Sequence, residues 1–257
     1  MMNALLDIKQ LSIGYDKAVV AVNISFQMMP GEVVAVLGLN GAGKSTLLRT
    51  LAGLQPSLSG QISINGSAIK SLTANLLARQ RSIVLSGRQH VVGELKVREL
   101  FEMTNSIRKN ENKNETSKSN VLNIIETMHL NELYNRKLST LSDGEFQRAM
   151  IARALVQQTP LVLMDEPTAH LDVIRTMETF KFIQSLPEKF GVGVVFTTHD
   201  IEKALHIAHR CIVLDKQSKV QSGTPEELIT QKVITSVFSG DAVHFNTDSR
   251  RFEYSNQ

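Results

Sequence analysis

The sequence predicts an α/β fold, a mixed sheet flanked by helices, and three observations predict it. The runs "VVAVL" (33–37), "LVLMD" (161–165) and "VGVVFTT" (192–198) are short, apolar and rich in β-branched residues. That is the pattern of strands buried on both faces of a parallel sheet. The glycine-rich stretch "GLNGAGKST" (38–46) follows the first run directly and leads into "STLLRTLAGL", which has helical periodicity. From about Leu95 to Ala154 the pattern is again helical. A chain of 257 residues, 42% hydrophobic, can bury a substantial core as one large domain or one domain carrying a subdomain.

The elements follow in chain order. "LLDIKQLSIGY" partly alternates and reads as a strand, and "AVVAVNISFQM" reads as a second. A Pro30-Gly31 turn separates them from the buried run at Val33. "GQISING" (60–66) reads as a hairpin piece closed by Asn-Gly. "RSIVL" (81–85) is a further strand. The polar stretch 105–120, "NSIRKNENKNETSKSN", reads as a solvated loop or a frayed helix end. "CIVLD" (211–215) precedes Thr224-Pro225-Glu226-Glu227, a helix start with Thr as cap, Pro first and acids in the first turn. One domain is expected over 1–240, with a polar tail over 241–257. There is no internal repeat and no second glycine loop.

Composition narrows the function. Twenty-eight Lys and Arg against 25 Asp and Glu leave a formal charge of +3, with the bases scattered, so nucleic acid is not an expected partner. The single Cys211 rules out an internal disulfide and fits a reducing, cytosolic compartment. Asp7 and Lys9 interrupt the N-terminal apolar stretch, which does not read as a secretory signal. No run approaches the roughly 18 apolar residues of a membrane helix, so any work at a membrane goes through a partner.

The glycine loop sets the chemistry. Gly38, Gly41 and Gly43 remove side chains where backbone N–H groups must turn inward around a β-phosphate, and the following helix turns its positive end to the same anion. Lys44 supplies a cation to the β- and γ-phosphates, Ser45 offers a hydroxyl to Mg²⁺, and Thr46 reaches the α-phosphate. Asp165 ends a strand at the rim where open α/β sheets bind ligands and is placed to hold Mg²⁺ through water. Glu166 points differently and is the candidate to polarise the attacking water. His199 ends "VVFTTH" in the same way. A lone histidine is more often a core residue, but behind a phosphate loop a donor to the γ-phosphate is the better reading. "LSDGEFQRAMIARAL" (141–155) offers a second anion site, with Ser142 and Gly144 at a helix start. One phosphate loop and two anion sites suggest that the second serves the nucleotide of another copy.

These motifs, in this order, resemble the nucleotide-binding subunit of ABC transporters over about residues 5 to 230. The resemblance rests on Tyr15, the Walker A loop 38–46, the signature 141–145, Walker B 161–166, "TAHLD" (168–172) and His199. It implies a P-loop NTPase core with an N-terminal antiparallel β subdomain and a helical subdomain inserted at about 88–158. It implies ATP bound by Gly38, Leu39, Asn40, Gly41, Ala42, Gly43, Lys44, Ser45 and Thr46, with Tyr15 stacked on adenine. Ser45 and Asp165 would serve Mg²⁺, Glu166 would be the general base and His199 the γ-phosphate sensor. Ser142, Gly144 and Glu145 would contact the γ-phosphate of the opposite subunit, and Asp172 would lie across a head-to-tail homodimer. The further partners implied are separate membrane permease subunits and, indirectly, a substrate-binding protein, with the chain peripheral on the cytoplasmic side of a bacterial inner membrane.

The chain departs from that pattern. Asp143 and Glu145 stand where the family usually has Gly and Gln, and Asp143 adds negative charge near a phosphate. Gly87 stands where the Q-loop glutamine belongs and Gln89 lies two residues late, its role open. The expected function is the ATP-hydrolysing subunit of an importer, most similar to the iron–siderophore, haem and cobalamin group. The alternatives are an ABC ATPase acting in DNA repair or translation, which usually carries a coiled-coil insertion or a second cassette, and a module with a dead site, which the presence of Lys44, Asp165, Glu166 and His199 argues against.

Overall fold

The computed structural model describes residues 3–16, 18–87, 94–106 and 115–255. Strands β1 (Leu6–Tyr15) and β2 (Ala18–Met28) pair antiparallel, and β3 (Val33–Gly38) runs through the glycine loop into helix α1 (Lys44–Leu51). The hairpin β4 (Ser59–Ile64) and β5 (Ser67–Ala68) turns at Asn65 and Gly66, whose φ angles of 48° and 75° are those of the Asn-Gly turn that the sequence predicts. Helix α2 (Ala74–Gln80) delivers β6 (Arg81–Val84). Three helices follow, α3 (Val97–Ser106), α4 (Glu115–Thr127) and α5 (Asp143–Val156). Then come β7 (Leu161–Met164), α6 (Val173–Phe190), β8 (Gly193–Thr197), α7 (Ile201–Ile207), β9 (Arg210–Leu214) and β10 (Val220–Gly223). The chain ends with α8 (Pro225–Thr230), α9 (Val233–Phe238) and the hairpin β11 (Val243–Asn246) and β12 (Arg251–Tyr254).

The central sheet has six strands in the order β10-β9-β3-β8-β7-β6, parallel except for β10. It is the mixed sheet that the apolar runs predict. A second, four-stranded antiparallel sheet has the order β2-β1-β4-β5 and forms the N-terminal β subdomain. Side chains alternate between two cores, as the pleat requires. Val34, Val36, Leu163 and Val195 face α1 and the β subdomain, while Val33, Ala35, Met164 and Phe196 face the helical side. On that side Phe196 meets Phe180 of α6 edge to face, ring centroids 6.0 Å apart.

Two stretches differ from the sequence reading. The polar stretch 105–120 was expected as loop or frayed helix, yet α3 continues through Ser106 and α4 begins at Glu115; residues 107–114 lie outside the described residues. The polar tail after Ser239 is a hairpin. Phe245 is buried in the helical-side core and stacks edge to face on Phe252 at 5.2 Å, while the Phe252 N–H donates to Glu202 of α7 at 2.8 Å. Phe245 and Phe252, the hydrogen bond to Glu202 and an ion pair between Arg250 and Glu226 at 2.9 Å hold a segment that is mostly polar.

Candidate functional site

Strand register assembles the rim. β7 and β8 pair in parallel with Met164 opposite Phe196, so the next residues, Asp165 and Thr197, fall side by side at the C-terminal edge. Thr197 Oγ1 donates to Asp165 Oδ1 at 2.7 Å and accepts from the Glu166 N–H at 2.8 Å. Ser45, in the first turn of α1, donates its hydroxyl to the same Asp165 oxygen at 2.9 Å. The Asp165 N–H donates to Val84 of β6 at 2.8 Å. A buried carboxylate with a hydroxyl beside it is an oxygen-only donor pair of the kind Mg²⁺ takes when it completes its shell with phosphate oxygens and water. Ser45 and Asp165 therefore fit the ion that the sequence predicts for them.

The loop itself is backbone-built. Gly41 and Gly43 have φ of 80° and 101°, and a Cβ on Gly43 would stand 2.2 Å from Val20 Cγ1. Gly43 caps α1 with no side-chain hydrogen bond, so the first N–H groups of the helix face the loop rather than a cap. Lys44 is buried, its Nζ donating to the carbonyls of Gly38 at 2.9 Å and Leu39 at 3.4 Å. Burial pushes its pKa down, and the negative charges of Glu166 and then Asp165 pull it back up. The ammonium is thus held over the loop with two carboxylates in its field. Thr46 Oγ1 donates to the Tyr15 hydroxyl at 3.3 Å, which sets the half-exposed Tyr15 ring beside the loop at the end of β1.

Glu166 has φ of 45°, a left-handed backbone that costs a non-glycine residue about 1–3 kcal/mol. Its N–H bond to Thr197 holds that conformation, and its side chain is partly buried. His199 lies exposed, two residues past the end of β8 on the same rim.

The remaining predicted residues form a second group. Ser142 caps α5 in a reciprocal box: its hydroxyl accepts from the Glu145 N–H at 3.3 Å, and its own N–H donates to Glu145 Oε2 at 2.7 Å. The second oxygen of Glu145 lies 3.5 Å from Arg136. Hydrogen bonding to the Ser142 backbone, more than any other contact, holds the Glu145 carboxyl below its usual pKa. Asp172 caps α6, accepting from the Arg175 N–H at 2.9 Å. A Cβ built on Gly144 would sit 3.6 Å from Arg175 Cγ, so the starts of α5 and α6 touch. Neither Ser142 nor Asp172 hydrogen-bonds to the loop, Asp165 or Glu166. Gly87 has φ of 86°, and Gln89 lies outside the described residues.

A phosphate loop behind β3, a rim carboxylate and a capped Ser142 helix invite comparison with known proteins. A family model described as ABC transporter matches residues 21–169. The chain belongs to the ABC transporter family. It is 32% identical to a petrobactin import ATP-binding protein of Bacillus anthracis, over 90% of this chain and 85% of that relative. It is 36% identical to a phosphonates import ATP-binding protein of Trichormus variabilis, over 83% of this chain and 89% of the relative. Among solved structures it resembles a metal-chelate type ABC transporter in an inward-facing conformation, with a TM-score of 0.77, 25% identity and cover of 92% and 89% of the two chains. As an ABC transporter ATP-binding subunit, the chain binds and hydrolyses ATP. No helix among the described residues is long and apolar enough to cross a membrane.

Sequence reasoning missed Thr197 in this ABC site. The available signal was a hydroxyl residue ending an otherwise apolar run, two residues before His199.

Proposed function

We propose that this chain energises uptake of a metal chelate, of iron–siderophore, haem or cobalamin type, through separate permease subunits. The observation that supports it is the joint likeness to a petrobactin import subunit and to a metal-chelate type transporter. The 36% identity to a phosphonates import protein favours a second reading, phosphonate uptake. In both, the chain sits peripherally on the cytoplasmic face of a bacterial inner membrane, fed by an external substrate-binding protein.

The placement of the residues supports the following roles. The loop from Gly38 to Thr46 holds the triphosphate, with Lys44 set against the β- and γ-phosphates and Tyr15 against the adenine. Ser45 and Asp165 hold Mg²⁺, which neutralises phosphate charge when bound. Glu166 takes the proton of the attacking water and His199 donates to the γ-phosphate. The second group completes the site of another copy: Ser142 and Gly144 present a helix start to its γ-phosphate, with Glu145 and Asp172 at the seam. Two copies pack head to tail, and hydrolysis removes the contact that holds them closed.

Two measurements test this. Glu166→Gln binds ATP but does not turn it over, and accumulates as an ATP-bound dimer in light scattering; unchanged hydrolysis removes Glu166 from its role. With its permease in proteoliposomes, the wild-type ATPase is stimulated by binding protein loaded with a ferric chelate. Stimulation by a phosphonate instead selects the second reading.

A further inference from the structure

A basic cleft lies between α4, α5 and α6, opening beneath the signature group at Gly144 and sharing no residue with the phosphate loop. Its volume is about 400 Å³, within the range of small-molecule sites. His129, Arg148, Arg175, Lys181 and Lys189 line it against the single carboxylate Glu178, among the described residues. Glu178 is already paired with Arg175 at 2.7 Å, so it does little for the other cations. Arg148 Nε is sealed from solvent and has no hydrogen-bond partner, although Glu145 attracts the group electrostatically. Lys189 leans over the Phe182 ring, 6.0 Å from its centroid, and Met128 and Ile151 supply further apolar wall.

Several cations around one concavity repel each other and focus a positive potential into it. The fork of Arg148 suits paired oxygens, and the apolar wall suits a carbon skeleton.

We propose that this cleft binds a small organic anion carrying two or more phosphate or carboxylate groups, and that the bound anion tunes ATP turnover. The second part follows from position. Arg148 belongs to α5, which Ser142 begins; Arg175 and Lys181 belong to α6, which Asp172 begins. An anion clasped by all three ties together the two helices whose starts form the signature group.

The test uses the full-length protein with its nucleotide site saturated by ADP and Mg²⁺, so that the phosphate loop cannot take the probe. Fructose 1,6-bisphosphate and tricarballylate are titrated separately by calorimetry at an ionic strength of about 0.15 M, where weak surface attraction is screened. Saturable one-site binding of either is expected, and the arm that binds tells phosphate from carboxylate. Arg148→Gln and Lys181→Gln should each weaken it about tenfold, the effect of one lost charge-assisted contact. Lys181→Gln should keep the basal ATP turnover while losing the response of turnover to the probe. Failure of both probes to bind saturably overturns the proposal, as does binding that survives the Arg148→Gln and Lys181→Gln double variant undiminished.

Discussion

Thr197→Val is the most informative substitution in the rim. It keeps the shape of a fully buried side chain and exchanges its hydroxyl for a methyl. Two hydrogen bonds go with it, the donor to Asp165 at 2.7 Å and the acceptor for the Glu166 N–H at 2.8 Å. A buried N–H without a partner costs about 1–3 kcal/mol, and a hydrogen bond to a charged group contributes about 1.5–3 kcal/mol. Because the two share one oxygen, a total loss of about 3 kcal/mol is expected. In a domain of this size that lowers Tm by roughly 10 °C without unfolding the protein. Turnover should suffer more than binding. The backbone of Glu166 loses the bond that holds its left-handed φ, and Asp165 is left with Ser45 alone among its side-chain donors. A displacement near 1 Å at such a site costs about a hundredfold in rate. The loop amides and Lys44 are untouched, so KM for ATP should move little. Steady-state ATPase kinetics and thermal unfolding measure both, and Thr197→Ser should restore most of each. A folded Thr197→Val protein with kcat within twofold of wild type would refute the reasoning.

Two further outcomes are expected. Gly43→Ala places a Cβ 2.2 Å from Val20 Cγ1, whereas Gly41→Ala, also at positive φ, meets nothing within 4 Å. Gly41→Ala should cost about 1–2 kcal/mol of backbone strain and keep measurable ATP binding, while Gly43→Ala should lose it; equal affinities by calorimetry would show that the clash is absorbed elsewhere. Acid should unlock the capping boxes of α5 and α8. The Glu145 and Glu227 carboxyls are held below their usual pKa, chiefly by hydrogen bonds from the backbone of Ser142 and Thr224. A depressed folded-state pKa gives stability that is present above the unfolded value and lost as pH falls through the folded one. Tm should therefore decline as pH drops through the carboxylate range, and the decline should be shallower in Glu227→Gln; identical slopes would count against the boxes.

Local pattern carried much of this fold. "VVAVL" reads as a strand buried on both faces because every residue is apolar, and β3 is buried throughout. The cap residues Ser142 and Thr224 are legible because capping is a short-range contact, three residues long. What stayed hidden depends on residues far apart in sequence. Helix α6 has 18 residues, but Val173, Ile174 and Met177 are exposed at its start and Pro187 lies inside it, so its periodicity is blurred. The C-terminal hairpin relies on Phe245 reaching the core and on Glu202, about fifty positions upstream of Phe252. Thr197 reads as strand filler until the register of β7 and β8 brings Asp165 beside it. Lys44, Ser45, Asp165 and Glu166 could be singled out in the sequence, but the Thr197 hydroxyl that joins Asp165 to the Glu166 backbone could not.

The two halves of the candidate site meet in one edge strand. β6 is the edge of the six-stranded sheet, and its successive carbonyls point opposite ways. Val84 accepts from the Asp165 N–H on the sheet side. Ile83, the residue before it, accepts from Arg153 on α5. Gln157, near the same end of α5, donates to the carbonyls of Ala78 in α2 and of Arg81 at the start of that strand. The helix thus covers the exposed edge and satisfies its acceptors. Burial lowers the pKa of Arg153, yet a guanidinium keeps its charge, so this buried cation depends on the acceptor it has found. Ser142 begins the helix and Arg153 anchors its far end to β6. A tilt of α5 at its signature end therefore strains the Arg153 anchor, and the carbonyl next along the strand holds the backbone of Asp165. The adjacent carbonyls of Ile83 and Val84 thus hold Arg153 of the Ser142 helix on one side and the backbone of Asp165 on the other.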